Sequence, residues 1–493
     1  PLKEMNILIA TEFPNKKKTF SQLPPPTANR LIKKCLEKDE IKQRYDEYKE
    51  SYHRQLEFFK DSSVYSIQGG GDRQLFKLFT ERALKITKPD AMFGMVMPAG
   101  ILQDLGTKEI RQEILTNHAI KEFCAFVNGK PIFVGVHRQF SFSTLILEKG
   151  VVSPIYLTRK DEYDDDILQD FQNYAFEYSL DFVKTTSPSS LAVLECGSKE
   201  EKEILEKIYE APKLMHWGNF EPIREFDMTN DKKLFKTTET GPPLYEGKMI
   251  HMFTHNFAPP KQWLVLQDAE AREVEKEERR VPKKIRDKNP KMIFKIGANE
   301  YKLVWRSITN ATDQRTLIST VLPPNFTGNN LNCLISITFD ENTETYVPPV
   351  ANDETIFLCG MFNSFVVDYV MRHKLGGSNV NYFHMNELPI PRYDQNNSLH
   401  EMVFRNSAML ICTTDEFADL RDKISVDEFE TDQDRRFSLI TRINAAAAKI
   451  FGLTREQLEL ILQSFPQSKK QHKRSPDWVN SSELQKAILD EFS

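Results

Sequence analysis

The chain has 493 residues, 40% of them hydrophobic and 28% charged, with a net charge of −5. That balance fits an ordinary globular protein of roughly two to four domains and excludes a global basic field, so a nucleic-acid partner requires Lys and Arg gathered on one face. The six cysteines, Cys35, Cys124, Cys196, Cys333, Cys359 and Cys412, form no CxxC pair, which argues against a zinc knuckle or redox dithiol and for reduced thiols in a cytoplasmic protein.

No apolar run reaches the roughly 18 residues of a membrane helix, so no membrane partner is expected, and no signal peptide is visible. The first residue is Pro1, and the chain is expected to begin inside a longer protein.

In chain order, residues 29–60 read as helix, with Leu31, Cys35, Ile41, Tyr45, Tyr48 and Tyr52 near helical spacing, and the triplet Gly69, Gly70, Gly71 closes that segment. Residues 75–86 form an amphipathic helix. The run Phe93-Gly94-Met95-Val96-Met97, closed by Pro98, suits a strand covered on both faces of a parallel sheet. A helix over 107–115, capped by Asp104 or Thr107, precedes strands at 120–127 and 140–147. Strand, helix, strand, strand is one end of an α/β sheet.

Residues 161–166 are an acidic loop, and 199–209 are helical. The charged stretch 268–291 reads as an exposed helix or a flexible excursion. Strands are expected within 292–306, 317–322 and 331–339, and helices at 362–375 and 427–465, with a polar, mobile tail after Pro466.

Several blocks carry a resemblance. They are LFKLFTERALKITKPDAMFGMVMPAGILQDLGTKEIRQEIL (75–115), FVNGKPIFVGVHRQFSFSTLILEKG (126–150), REFDMTNDKKLF with PLYEGKMIHMFTHNFA (224–258), VWRSITNATDQRTLISTVLPP (304–324), FNSFVVDYVMRHKLGGSNVNYFHMNELPIP (362–391) and INAAAAKIFGLTREQLELILQSFP (443–466). In this order they resemble the adenine-specific DNA methyltransferases of Type IIG restriction-modification enzymes and related phage-defence methylases. The resemblance implies an α/β fold. Residues 1–155 would be the C-terminal part of a Rossmann-like methyltransferase sheet, 156–215 a connector, 216–395 a mixed α+β target-recognition domain and 396–493 a C-terminal helical region.

That family binds S-adenosylmethionine at a Gly-rich turn and grips the target amine with an Asn/Asp-Pro-Pro-aromatic tetrapeptide, whose ring stacks on a base that has left the duplex. Leu23-Pro24-Pro25-Pro26 and Leu322-Pro323-Pro324-Asn325 lack the polar residue before the prolines. The resemblance therefore implies that the catalytic residues and most of the cofactor contacts lie upstream, and that residues 1–150 form an incomplete sheet edge needing a missing methyltransferase or nuclease segment, or a separate catalytic subunit. The chain alone would be inactive. Two further readings stay open: a natural specificity subunit that docks on a catalytic chain, and a degenerate methylase kept for assembly.

Under the resemblance, contacts to double-stranded DNA would come from Tyr245, Lys248, Arg306, Asn310, Thr312, Asp313, Arg315, Arg372, Lys374 and Asn379, since these side-chain types read phosphates and base edges. The segment Lys374-Leu375-Gly376-Gly377-Ser378-Asn379 is the most attractive, because two glycines let backbone approach a phosphate. Either Phe140 or Phe142 could stack on a flipped base, although core packing explains one strand face. His251 and His255 have metal-ligand spacing but no third ligand, so no metal is expected. Asp227 and Asp231 with Glu246-Gly247-Lys248 echo a magnesium nuclease in a short, common pattern. Gly69–Gly71 lacks the following Lys-Ser/Thr of a P-loop and reads as a turn, and Asn128-Gly129 reads as a hairpin turn.

Overall fold

The computed structural model describes residues 25–69, 71–128, 132–133, 136, 138, 140–151, 155–160, 165–466 and 479–493. Leu23, Pro24, Gly70, the 129–131 turn, the acidic residues 161–164 and the polar stretch 467–478 lie outside the described residues. The chain divides into two compact units, 1–121 with 144–153, and 122–143 with 154–493.

In the first unit, the long helix expected over 29–60 is two helices, α1 (Pro25–Leu36) and α2 (Asp39–Lys60), broken where Lys38 adopts an extended backbone. Helix α3 (Leu75–Ile86) buries Leu78 and Leu84. It also buries the i, i+4 pair Lys77 and Glu81, which staple the preceding loop. Lys77 Nζ donates to Gln68 O at 3.0 Å and Asp72 O at 3.2 Å, while Glu81 accepts from Ser66 N at 2.6 Å and Gln68 Nε2 at 2.8 Å. Such pairing removes the cost of burying the charges.

Strand β1 (Met92–Pro98) departs from expectation. Among the described residues only one of its faces is covered; Met92 and Val96 (60%) are exposed, as are Leu75, Phe79 (61%) and Ile86 on α3. The continuous apolar run signalled two covered faces, but among the described residues one of them stays exposed.

Helix α4 (Lys108–Asn117) follows a 3-10 turn at Leu105–Thr107. Neither Asp104 nor Thr107 caps it through a side chain. The Thr107 hydroxyl instead donates back to Asp104 O at 2.8 Å, and buried Arg111 donates to Thr107 Oγ1 at 2.9 Å. Strands β2 (His118–Val127) and β3 (Ser141–Lys149) run from this unit into the next. Here β1 meets β3, with Asp90 N donating to Lys149 O and Lys149 N to Ala91 O, and Gly150 N donates to His118 Nδ1 at 3.1 Å.

In the second unit the remainder of β2 pairs parallel with β4 (Ile155–Lys160), which pairs antiparallel with β5 (Phe176–Tyr178). Cys124, Phe126, Phe142, Ile167 and Phe171 make the local core. Helices α5 (Leu180–Thr186) and α6 (Lys199–Ile208) are capped by Ser179 and Ser198, whose hydroxyls accept from Phe182 N and Glu201 N.

Beyond them, β6 (Pro222–Ile223), β7 (Phe235–Lys236), β8 (Leu244–Tyr245) and β9 (Trp263–Leu264) are short. Two helices follow, α7 (Leu266–Arg280) and α8 (Lys283–Lys288). Of the two readings of this stretch, exposed helix or flexible excursion, the structure has helix, with Ala269, Glu277, Val281 and Ile285 buried. An antiparallel sheet is built from β10 (Lys302–Arg306), β11 (Ser319–Leu322) and β13 (Leu331–Leu334), in the order β11-β10-β13-β6. The intervening β12 (Phe326–Thr327) pairs parallel with β8, and β14 (Thr338–Asp340) makes a hairpin with β15 (Thr345–Val347).

Helix α9 (Asn352–Phe362) is followed by α10 (Phe365–Lys374), which matches the helix expected over 362–375 to within a few residues. Both are apolar nearly all round, as a fully enclosed helix must be. Among the described residues no single helix is long and apolar enough to cross a membrane, and this pair is bent by 69°. A layer of α11 (Ser398–Ile411), α12 (Ala418–Ile424), α13 (Gln433–Ile450), α14 (Arg455–Gln463) and α15 (Ser482–Phe492) packs around them. The C-terminus is not all mobile tail, because Leu484 and Ile488 bury α15. All six cysteines are free thiols.

Candidate nucleic-acid interface

Five loops of the second unit meet beside the β10 sheet. Residues 307–309, leaving β10, lie antiparallel to 378–380, leaving α10. Val380 N donates to Ser307 O at 2.8 Å and Thr309 N to Ser378 O at 3.1 Å, and Ile308 stands opposite Asn379. The backbone so pinned holds Ile308 (64% exposed), Asn310, Thr312, Asp313 and Asn379 at the surface.

From below, buried Arg372 donates to Ala311 O at 2.7 Å and to Asp313 O. Thr316 Oγ1 donates to Asn310 O at 3.1 Å, and Asn310 N to Asp313 Oδ2 at 3.1 Å. The loop tip is therefore polar and rigid.

On the other flank, Ser307 N donates to Asn330 O at 3.2 Å, and Gly247 N donates to Asn330 Oδ1 at 3.2 Å. A Cβ on Gly247 would lie 2.8 Å from Asn330 O, so only glycine allows this approach. The turn brings exposed Lys248 next to Arg306, whose side chain is 3.6 Å from that same Cβ position. Arg306 is half-buried and donates to Ile250 O; burial lowers its pKa, and its Nε has no hydrogen-bond partner among the described residues. Asn329 Nδ2 donates to Asp227 Oδ2 at 3.1 Å, drawing in the 227–231 turn.

Asn329 and Asn330 did not stand out in the sequence. The signal available was the turn dipeptide character of Gly328-Asn329-Asn330.

The remaining sequence candidates lie elsewhere. Arg315 is fully buried, with Nε 2.7 Å from Asp368 Oδ2 and its guanidinium 4.2 Å from the Phe365 ring centroid. Lys374 is buried with Nζ 2.9 Å from Glu387 Oε2 and 2.7 Å from Thr186 O. Arg372 packs 4.0 Å from the Phe465 ring centroid. Burial lowers the pKa of all three, against the pull of their carboxylate neighbours. These cations satisfy interior acceptors, so in this structure they support the loops and do not face solvent. Tyr245 is likewise core, its pKa pushed up to about 12 by burial.

Phe142 packs against Phe126 at 5.5 Å and edge-on to Phe133 at 5.0 Å. Phe140 is 65% exposed. It lies where Asn128 organises the chain, accepting from Ile132 N at 3.1 Å and donating to Val136 O at 3.2 Å.

The metal-like patterns have structural partners. His251 and His255 sit on a tight turn, with Phe253 at φ 58°. His251 Nδ1 accepts from Met252 N at 2.9 Å, and His255 Nε2 is 3.0 Å from Glu416. Asp227 Oδ1 accepts from Thr229 N and Asn230 N, Asp231 takes Asp227 N and Arg272, and Glu246 takes Asn330. Among the described residues no group of three or more His, Cys, Asp or Glu is placed to hold a metal ion.

The residues at Gly69 and Gly71 do not fit S-adenosylmethionine or a phosphate. Their carbonyls accept from Arg73 NH1, and a Cβ at Gly69 would meet the Glu109 carboxylate at 2.1 Å. A cradle for an anion needs N–H groups facing inward, whereas here carbonyls and a carboxylate face the cations.

Residues 43–133 match the family model described as Eco57I restriction-modification methylase. The match is confined to that segment of the chain. No curated protein matches it. Among solved structures, the chain is similar to the Type IIL restriction-modification enzyme MmeI in complex with DNA (13% identity, TM-score 0.40, 87% of this chain and 54% of that one). It is also similar to the type IIG restriction endonuclease BpuSI (12%, 0.29, 82% and 51%) and to the DrdV–DNA complex (11%, 0.32, 71% and 41%). The chain spans about half the length of the first two.

Proposed function

We propose that this chain supplies DNA target recognition to an S-adenosylmethionine-dependent adenine methyltransferase of a restriction-modification system. The observation that carries the reading is the convergence of five loops, pinned by the Ile308–Asn379 bridge, on one rigid polar surface. Asn310 and Asn379 have the amide geometry that pairs with adenine, while Lys248 and Arg306 supply donors to guanine or phosphate. Thr312, Asp313, Asn329 and Asn330 complete the rim. Phe140, 65% exposed, is the aromatic proposed to stack on a flipped base.

The methyl donor and the amine-gripping tetrapeptide belong, on this reading, to a part of the enzyme outside these residues, acting on cellular DNA in the cytoplasm. The apolar faces of α3 and β1, exposed among the described residues, favour a protein partner at that edge. It is either the upstream segment of the same polypeptide or, on the second reading, a separate catalytic chain to which this one is the specificity subunit. An in-frame Asn-Pro-Pro-aromatic encoded ahead of Pro1 decides for the first; the tetrapeptide on a separately encoded chain decides for the second.

The recognition reading is tested by selecting bound duplexes from a random-sequence pool. The chain should enrich a defined sequence, and Asn310→Ala with Asn379→Ala should relax it, at about 1–3 kcal/mol of discrimination per lost bidentate contact. Enrichment of no sequence would sink it.

A further inference from the structure

Helix α7 and its continuation divide sharply by charge. Residues 266–278 hold six carboxylates against two cations, and 279–295 hold eight cations against one carboxylate. The fold neutralises the first half. Glu273 and Glu277 turn inward, Lys276 Nζ lies 2.7 Å from Glu273 and also donates to Glu225 O, and Lys302 pairs with Glu225.

The second half is neutralised only in part, since Arg279, Arg280 and Arg286 pair with Glu275, Glu277 and Glu278. Lys283, Lys288 and Lys291 are exposed and make no ion pair among the described residues. Lys284 reaches Glu341 only at 3.6 Å, with both side chains more than half exposed, a pairing of little energetic weight. Attraction to helix C-termini accounts for Arg279 and Arg280 in the last turn of α7 and for Lys288 in the last turn of α8, but that effect fades within one turn and leaves Lys283 and Lys291 unexplained. The backbone carrying them is fixed: Val281 and Ile285 are buried, Arg286 Nε donates to Val281 O at 3.1 Å, and Asn289 N to Ile285 O at 3.0 Å.

We propose that this basic segment binds the phosphate backbone of duplex DNA, independently of sequence, beside the loops that read it. The inference rests on the recognition reading above. The occupant follows from charge and position. A fixed row of unpaired ammonium groups on a chain of net charge −5 fits a polyanion. The segment also follows on a helix that reaches the loop surface: Arg272 of α7 lies 3.3 Å from Asp231, whose turn is tied through Asp227 to Asn329. Arg280 is about 12 Å farther along α7 at 1.5 Å per residue. The segment therefore starts well within one duplex turn, about 34 Å, of the reading loops.

The experiment is the salt dependence of binding to a labelled duplex. Lys283→Gln, Lys288→Gln and Lys291→Gln together should lower the slope of log K against log salt by about 0.9 per lysine, roughly 3 in all, with the selected sequence unchanged. Asn310→Ala with Asn379→Ala should do the reverse, changing sequence preference and leaving the slope. A slope unmoved in the triple variant overturns the proposal while wild-type binding still upholds recognition. An equal loss on replacing the exposed Lys49, Lys199 and Lys486 by Gln would reduce the effect to net charge and also overturn it. Failure of the wild-type chain to bind any duplex at low salt removes both.

Discussion

Arg315 and Asp368 meet with Nε 2.7 Å from Oδ2, both side chains wholly inside the protein. Asp368 also accepts from Thr316 N at 3.1 Å and Leu317 N at 3.0 Å, so one carboxylate fixes the end of the loop that presents Asn310 to Asp313. Removing one member of a buried pair strands the other charge, at a cost of about 3–5 kcal/mol. Asp368→Ala is expected to destabilise the chain by that amount in urea denaturation. Arg315→Met with Asp368→Leu should cost clearly less, because no charge is left alone. A double variant as unstable as the single would contradict the buried-pair account.

Acid should weaken the fold through two histidines. Burial lowers His251 and His384 to about 3 from an ordinary 6.5. In each, Nδ1 accepts a backbone N–H, from Met252 and Asn381, so protonation would lose that bond. The folded values lie below the unfolded ones, so this stability is complete above pH 6.5 and is lost as pH falls from 6.5 toward 3. Each group removes about 1.4 kcal/mol per pH unit in that window. His251→Asn keeps an acceptor at the same place. Its stability should fall with one proton's less slope between pH 6 and pH 4, roughly, and parallel curves for the two proteins would exclude the effect.

The uncovered faces of α3 and β1 make a separate prediction. Phe79 and Val96 are three-fifths exposed, so Phe79→Gln and Val96→Thr should shift unfolding free energy by no more than about 0.5 kcal/mol. Exposed apolar surface drives association, and the double variant should self-associate less in sedimentation velocity. A large loss of stability would mean that these side chains are already packed.

Much of the local structure was legible because periodicity is a local property. Helix α3 matches its expected bounds, and β1, β2, β3 and α6 differ from theirs by a residue or a few. The site was legible only as a set of chain segments. Arg315, Arg372 and Lys374 are the residue types that contact DNA, and their fate turned on Asp368, 53 residues away, on Ala311, 61 away, and on Thr186, 188 away. Asn329 and Asn330 gained their place only through Gly247 and Asp227.

The sequence by itself carried the resemblance to restriction-modification methylases, the order of most elements and the apolar runs that form the cores, because these depend on residue type and short spacing. The tertiary structure decided which charges face inward. A cation is buried where the chain around it supplies acceptors, from far along the sequence at Lys374 and Glu387, and it stays at the surface where none arrives, as at Lys288 and Lys291. That choice, which fixes what surface remains for a nucleic acid, is made by long-range packing and leaves no mark in the local pattern.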